Sequence, residues 1–471
     1  MSTMLPRAVL RALLAGRAAW WAPGLVSAVV SAIIGPCLTQ LTVSDLPAAR
    51  RAAAAAGTDP EEFAVIGTSL AAIVGVCGVV VISLVASAAV RQLTRDLARW
   101  RISGAGSGTV GAFVATQLLL VSLAGGVLGA AATVVAGEPF AQFVSGMVVP
   151  ALGDLAIPVP PAVFASTALA PVLAAILGGL LPVLHAVRVP AVRAVARDDD
   201  AQTEPRRSGL GASVRIRRWI LPGLGLLVPA LVTWRAYASP PAGIDDAAST
   251  GMGLGALVVI GAAVGARRLM PALAAGWTRL VPLRTAGWRL ARASAIAKTR
   301  LSGATIVAMA CGITCLGVLM GIGYSAEAVE RAAGSAEAYN FTDIQVISVI
   351  VGTMCAVGGV CVLALASADR RHETAILRAS GMRAGQIVGM AFVEAVVLSA
   401  TALLIALLAT VLAAGLIPLA ATEAGLPPGF VLPWAELGLA FTASVTVVAA
   451  ALVVPAVQAL RTCVRTALAE T

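Results

Sequence analysis

Charge is what this sequence most lacks. Of its 471 residues, 12% are Asp, Glu, Lys or Arg, against about 25% in soluble globular domains. No polar stretch is long enough to form a soluble domain of its own, so a soluble enzyme is excluded. Lysine is almost missing: 32 of the 33 basic residues are arginine, and Lys298 stands alone. A phosphate-binding loop needs glycines ahead of its lysine and a hydroxyl after it. Lys298 precedes Thr299 but follows Ala295, Ile296 and Ala297, so the chain does not carry its own ATPase. The two histidines, His185 and His372, are far apart in sequence, and no Ser/His/Asp, zinc-site or paired-carboxylate arrangement stands out. Six of the seven cysteines sit inside apolar runs without paired ligand spacing, and Cys311 and Cys315, on one helix face without nearby His or acidic partners, read as packing residues. No catalytic constellation, metal site or cofactor site is expected in this chain.

What the sequence has in abundance is apolar residues, 59% of the total, with a mean hydropathy of +0.94. About twenty consecutive apolar residues cross a bilayer. Ten such spans are expected, at about 18–42, 63–90, 110–136, 161–187, 219–237, 250–266, 301–324, 345–367, 386–420 and 433–457. The fold class is therefore all-α and polytopic. Arg7, Arg11 and Arg17 precede the first span, which reads as an uncleaved anchor with its N-terminus in the cytoplasm. Alternation from there puts a net charge of +21 in the inner segments and −9 in the outer ones, with Glu394 and Glu436 in or at spans. That segregation follows the positive-inside rule, and it assigns the overall net charge of +10 to topology and not to nucleic acid. Trp20, Trp21, Trp219, Trp277 and Trp288 fall at inner edges, and Trp234, Tyr237, Tyr324 and Trp434 at outer ones, where aromatic belts lie. The outer loops are short, which leaves no room for a large extracytoplasmic domain. The arginine bias fits a GC-rich bacterial genome, and the protein is expected in the cell membrane with both termini cytoplasmic.

The loops after the second and eighth spans repeat each other at an offset of 277 residues. Ala98 meets Ala375, Arg101 meets Arg378, Ser103 meets Ser380, Gly104 meets Gly381, and Asp96 pairs conservatively with Glu373. Each reads as a short helix stopped by a glycine, here termed an elbow. Pro182 to Arg188 and Pro455 to Arg461 form a second matching pair, where the fourth span of each half runs into a basic tail. Four spans, two connecting spans and four more spans in the same orientation make a parallel repeat, a known transporter plan. The expected divisions are a lead-in helix at 1–17, a first four-span repeat at 18–197, a joint with two connecting spans and a second lead-in helix at 198–300, and a second four-span repeat at 301–471.

The second elbow, with Arg370, Arg371, His372, Glu373, Ala375, Ile376, Leu377, Arg378 and Gly381, then Gln386, Ile387 and Glu394 in the next span, resembles the signature of the FtsX-like permeases. The exits at Pro182 and Pro455 resemble that family's closing segment. The first elbow is a degenerate copy, with Asp96 in place of the usual glutamate and Gln117 where Glu394 stands in the second. The large extracytoplasmic domain of the best-known members is absent from this sequence.

The resemblance implies the membrane subunit of an ATP-binding-cassette transporter, with ATP and Mg on a separate cytoplasmic ATPase, two copies docking on the two elbows. It implies that Arg371, Glu373 and Arg378 supply charged contacts, Ile376 and Leu377 apolar ones, and Gly381 the turn into the membrane, with Asp96, Arg99, Arg101 and Gly104 as their counterparts. The substrate expected is a hydrophobic or amphipathic molecule such as an antimicrobial peptide, antibiotic or lipid. The alternative is a subunit that moves nothing and signals ATP hydrolysis to an extracellular enzyme or a membrane sensor kinase. The basic stretches Pro6 to Arg17 and Arg289 to Arg300 read as lead-in helices lying on the inner leaflet among lipid headgroups. Residues 188–218 read as a joint between halves. Glu394 is the clearest intramembrane acid, a costly placement that points to function; proximity to the inner interface is the competing explanation.

Overall fold

The structure, a computed structural model, describes residues 17–56, 61–153, 155–187, 227–241, 243–281, 286–334, 342–365, 374, 376–378 and 380–461. Helices and turns account for the regular structure among these residues, with no strand. A chain this apolar must satisfy its backbone hydrogen bonds within each segment, and the α-helix does so. Nine helices among the described residues are long and apolar enough to cross a membrane. They fall on nine of the ten expected spans. The remaining one, 219–237, lies outside the described residues up to 226 and is helical over 227–238.

The chain divides into two units, Met1–Arg206 and Arg207–Thr471. In the first, α1 (Arg17–Leu41), α3 (Glu61–Gln92), α5 (Ser107–Val148) and α6 (Pro161–Val187) are the long helices, α2 (Pro47–Ala56) is a short one between the first two, and α4 (Thr94–Ile102) is the elbow. Helix α1 packs on α3, α5 and α6, and α6 packs on α3 and α5. In the second unit, α7 (Ile244–Leu280), α8 (Ala286–Ala332), α9 (Thr342–Leu365), α10 (Ala384–Ala414) and α12 (Trp434–Arg461) are the long helices, with the short α11 (Leu416–Glu423) after α10. Helix α8 packs on α9 and α10, α10 on α12, and α7 along both α8 and α10. The sixth span is thus built into the second unit.

One crossing is built the same way in both units. A Cβ on Gly35 of α1 would lie 1.9 Å from Oγ1 of Thr133 on α5, and one on Gly317 of α8 would lie 2.3 Å from Oγ1 of Thr410 on α10. Both threonines turn their hydroxyls back to the carbonyl four residues earlier, Gly129 and Ala406. Close approach over small residues is how membrane helices gain packing in a solvent as apolar as themselves. One turn further along, the first unit has Thr39 against Gly137, and the second has Gly321 against Ala414.

The second lead-in segment departs from expectation. Residues 289–300 do not form a separate helix lying on the leaflet; they continue without a break into the span as part of α8, 47 residues long. At 1.5 Å per residue that is about 70 Å, more than twice the roughly 30 Å hydrocarbon layer. Nothing stops the helix, because no glycine or proline occurs between Trp288 and Ser302 and alanine recurs through the segment. Its face is also covered: Ala295, Trp288 and Ile296 pack with Ala274 and Trp277 of α7 and Val393 and Val397 of α10, and Arg292 donates from Nε to Thr278 Oγ1 at 2.9 Å. Of the first lead-in segment, residues 1–16 lie outside the described residues, as does the joint at 188–218.

At the ends opposite the elbows the described parts of the connections fold down on the helices. In the first unit Val43, Ala49, Phe63, Ala141, Leu152 and Ile157 share a small apolar core. Glu138 Oε1 there accepts the backbone N–H of Ile157 at 3.2 Å. In the second unit Tyr324 donates to Glu436, Ser325 accepts the N–H of Val431 at 3.2 Å, and Arg331 pairs with Glu327.

Candidate coupling elbows

The two elbows are closed by the same set of hydrogen bonds. In the first, the N–H of Gly104 bonds to the carbonyl of Arg101 at 3.2 Å and that of Ala105 to Trp100 at 3.0 Å; in the second, Gly381 bonds to Arg378 at 3.0 Å and Met382 to Leu377 at 3.1 Å. This nested pair is the Schellman stop, which requires a left-handed residue after the helix cap. Gly104 has φ +95° and Gly381 φ +87°, a conformation that a Cβ disfavours. The preceding serines add one more bond each, Ser103 Oγ to Trp100 O and Ser380 Oγ to Leu377 O, both 2.8 Å. The next helix starts at the matching residue in both copies, Ser107 and Ala384. In the second, Gln386 Oε1 accepts the N–H of Arg383 at 3.0 Å and fixes that start.

Both elbow arginines point into their own unit. Arg101 Nη1 donates to the carbonyl of Val187, the last described residue of α6, at 3.4 Å. Arg378 Nη1 donates to the carbonyl of Leu460, next to last among the described residues of α12, at 3.1 Å. Ile102 and Ile376 are exposed, at 57% and 50%, and Leu377 is half-buried. Trp100 lies edge-on to Phe113 of α5, with ring centroids 4.5 Å apart. Asp96 and Arg99 form an exposed ion pair at 3.3 Å, a geometry that contributes little to stability in water. Arg371 and Glu373 lie outside the described residues.

Gln117 and Glu394 occupy matching places on α5 and α10, and each is 1% exposed. Oε1 of Gln117 has no hydrogen-bond partner among the described residues. Two turns beyond Glu394, Thr401 Oγ1 accepts a hydrogen bond from Trp277 Nε1 of α7 at 3.0 Å. Sequence reasoning placed Trp277 at a membrane interface and missed this link, because a tryptophan 124 residues from its acceptor leaves no local pattern. It also missed the carbonyl partners of Arg101 and Arg378, although the arginine recurring at one offset in both copies was a readable sign. Among the described residues, no cluster of His, Cys, Asp and Glu is arranged to hold a metal.

A family model described as FtsX-like permease C-terminal matches the chain twice, over residues 68–191 and 345–463. The chain belongs to the FtsX-like permease family. The two matches take up more than half of the sequence, and each runs from the second long helix of a repeat through the elbow to the exit of the fourth. FtsX-like permeases are non-catalytic membrane subunits that typically pair with an ABC ATPase. No curated protein matches the chain. This permease therefore holds two copies of the family's helical core in one polypeptide.

Proposed function

We propose that this permease is the membrane subunit of an ATP-driven exporter and that each elbow receives one copy of a cytoplasmic ABC ATPase. The observation that carries the reading is the shared construction of the elbow stops: the same nested hydrogen bonds, a left-handed glycine and an immediate start of the next long helix. So tight a turn converts a push on the short helix into displacement of α5 or α10 with little slack. Ile102 and Ile376 offer the apolar contacts, and Glu373, Arg371 and the Asp96–Arg99 pair the charged rim. A hydrophobic or amphipathic cargo, such as an antimicrobial peptide, antibiotic or lipid, suits a chain whose described far-end connections in the first unit are folded down on the helix ends.

The test is co-purification of the ATPase with variants at exposed elbow positions. Ile102→Asp and Ile376→Asp singly should each lower the ATPase recovered per chain by about half, and together should abolish it. Undiminished recovery with the double variant, at normal protein levels, counts against docking on the elbows. Reconstitution of the wild-type pair then asks whether added cargo stimulates hydrolysis, as transport requires.

A further inference from the structure

Two motifs that lie far apart in the sequence meet at one hydrogen bond in each unit. The elbow arginine and its acceptor are separated by 86 residues in the first copy and 82 in the second. The donors, Arg101 and Arg378, sit at the same place in the Schellman stop, two residues before its serine. The acceptors, Val187 and Leu460, each lie five residues after a proline inside the helix, Pro182 or Pro455. A guanidinium is a charge-assisted donor to a main-chain carbonyl. The proline has meanwhile removed one rung of the hydrogen-bond ladder behind it and loosened the turn that carries the acceptor.

We propose that Arg101 and Arg378 are positioning residues that strap each elbow to the exit of the fourth helix of its own unit. The proline-to-arginine closing segment is the receiving half of the strap. Displacement of an elbow then moves two helices together, the one that starts after the glycine and the one whose last turn the arginine holds. This rests on the reading of the elbows as the place where force arrives, and it gives these arginines a different task from docking. The strap occurs in both copies even though the first elbow is degenerate elsewhere. Asp96 replaces the glutamate there, and Trp100 stands where the second copy has Leu377, while the arginine and the carbonyl at the exit are retained.

The experiment uses the full chain in lipid nanodiscs, alone and with the ATPase that co-purifies with it. Variants are Arg378→Ala, Arg101→Ala and the corresponding lysines, which keep the charge and one donor. Hydrogen exchange on the chain alone should show the exit peptide at 456–461 exchanging about tenfold faster in Arg378→Ala, the scale of one charge-assisted hydrogen bond. The body of α10 should be unchanged, and Arg378→Lys should restore most of the protection. Arg101→Ala should do the same at 183–187. With the ATPase present, the alanine variants should retain normal recovery of it and lose the permease's effect on its hydrolysis rate. Unchanged exchange at both exits overturns the strap. So does loss of ATPase recovery in Arg378→Ala with exchange unaltered, because the arginine is then a docking contact. If the wild-type chain recovers no ATPase at all, the proposed function has failed, and the exchange measurement still decides the strap.

Discussion

Replacing Gly35 by alanine should damage the protein more than replacing Gly317, although the two glycines occupy the same place in their repeats. A Cβ on Gly35 meets three atoms of Thr133, with Oγ1 at 1.9 Å, Cγ2 at 2.6 Å and Cβ at 2.8 Å. Rotating the threonine moves the first two and leaves the third, so α1 and α5 must separate toward the 3.5–4.0 Å of ordinary carbon contacts. Overpacking of this kind costs about 2–3 kcal/mol. At Gly317 the new Cβ meets Thr410 Oγ1 at 2.3 Å and Leu437 Cδ2 at 3.0 Å, but Thr410 Cβ lies at a comfortable 3.6 Å. Rotation of Thr410 relieves the overlap, at the loss of its bond to the Ala406 carbonyl, about 1 kcal/mol. Melting in detergent, at about 2–4 °C per kcal/mol for a unit of this size, should fall by roughly 4–12 °C for Gly35→Ala and roughly 2–4 °C for Gly317→Ala. Thr410→Ala should rescue the second fully, whereas Thr133→Ala, which keeps the offending Cβ, should rescue the first only in part and Thr133→Gly more completely. Equal melting of the two glycine variants, or failure of the threonine variants to rescue, would refute the packing argument.

Gly381→Ala and Gly104→Ala place a Cβ in open space but at positive φ. They should cost about 1 kcal/mol and lower stimulation of the ATPase more than protein yield, read by hydrolysis assays on purified complexes. Trp277→Phe removes the bond to Thr401 and should lower melting by about 1 kcal/mol equivalent, with no added loss in the double variant with Thr401→Val; additive losses would show that the two side chains act separately. Glu394→Gln should leave protein yield unchanged, since the matching site already holds Gln117, and should lower cargo-dependent hydrolysis. Full activity would remove Glu394 from the mechanism.

The spans, the repeat and the elbows were legible because each leaves a one-dimensional trace: an apolar run, a glycine at a fixed offset, arginines gathered on one side. The stop at Gly104 and Gly381 is local hydrogen bonding among neighbours, which is what a sequence records best. The straps from Arg101 and Arg378 were not legible, since their acceptors are main-chain carbonyls and any residue has one. The Gly35–Thr133 and Gly317–Thr410 crossing was hidden for another reason. The third helices of the repeats match at an offset of 277, but the first helices match at 282, from Gly35 to Gly317, so no single alignment brings both partners into view. The lead-in segment at 289–300 was misjudged because its arginines fit a leaflet surface, while its freedom from helix breakers and its cover by Ala274 and Trp277 carry it straight into α8.

The turn that follows that crossing bears on whether the two halves can be exchanged. Thr39 faces Gly137 in one half, and Gly321 faces Ala414 in the other. Recombination that gave α8 the partner α5 would set Gly321 against Gly137 and leave a void. The reciprocal exchange would drive Thr39 into Ala414. The two halves are thus not interchangeable at this turn: a chimaera pairing the first helix of one with the third helix of the other should pack loosely in one direction and clash in the other.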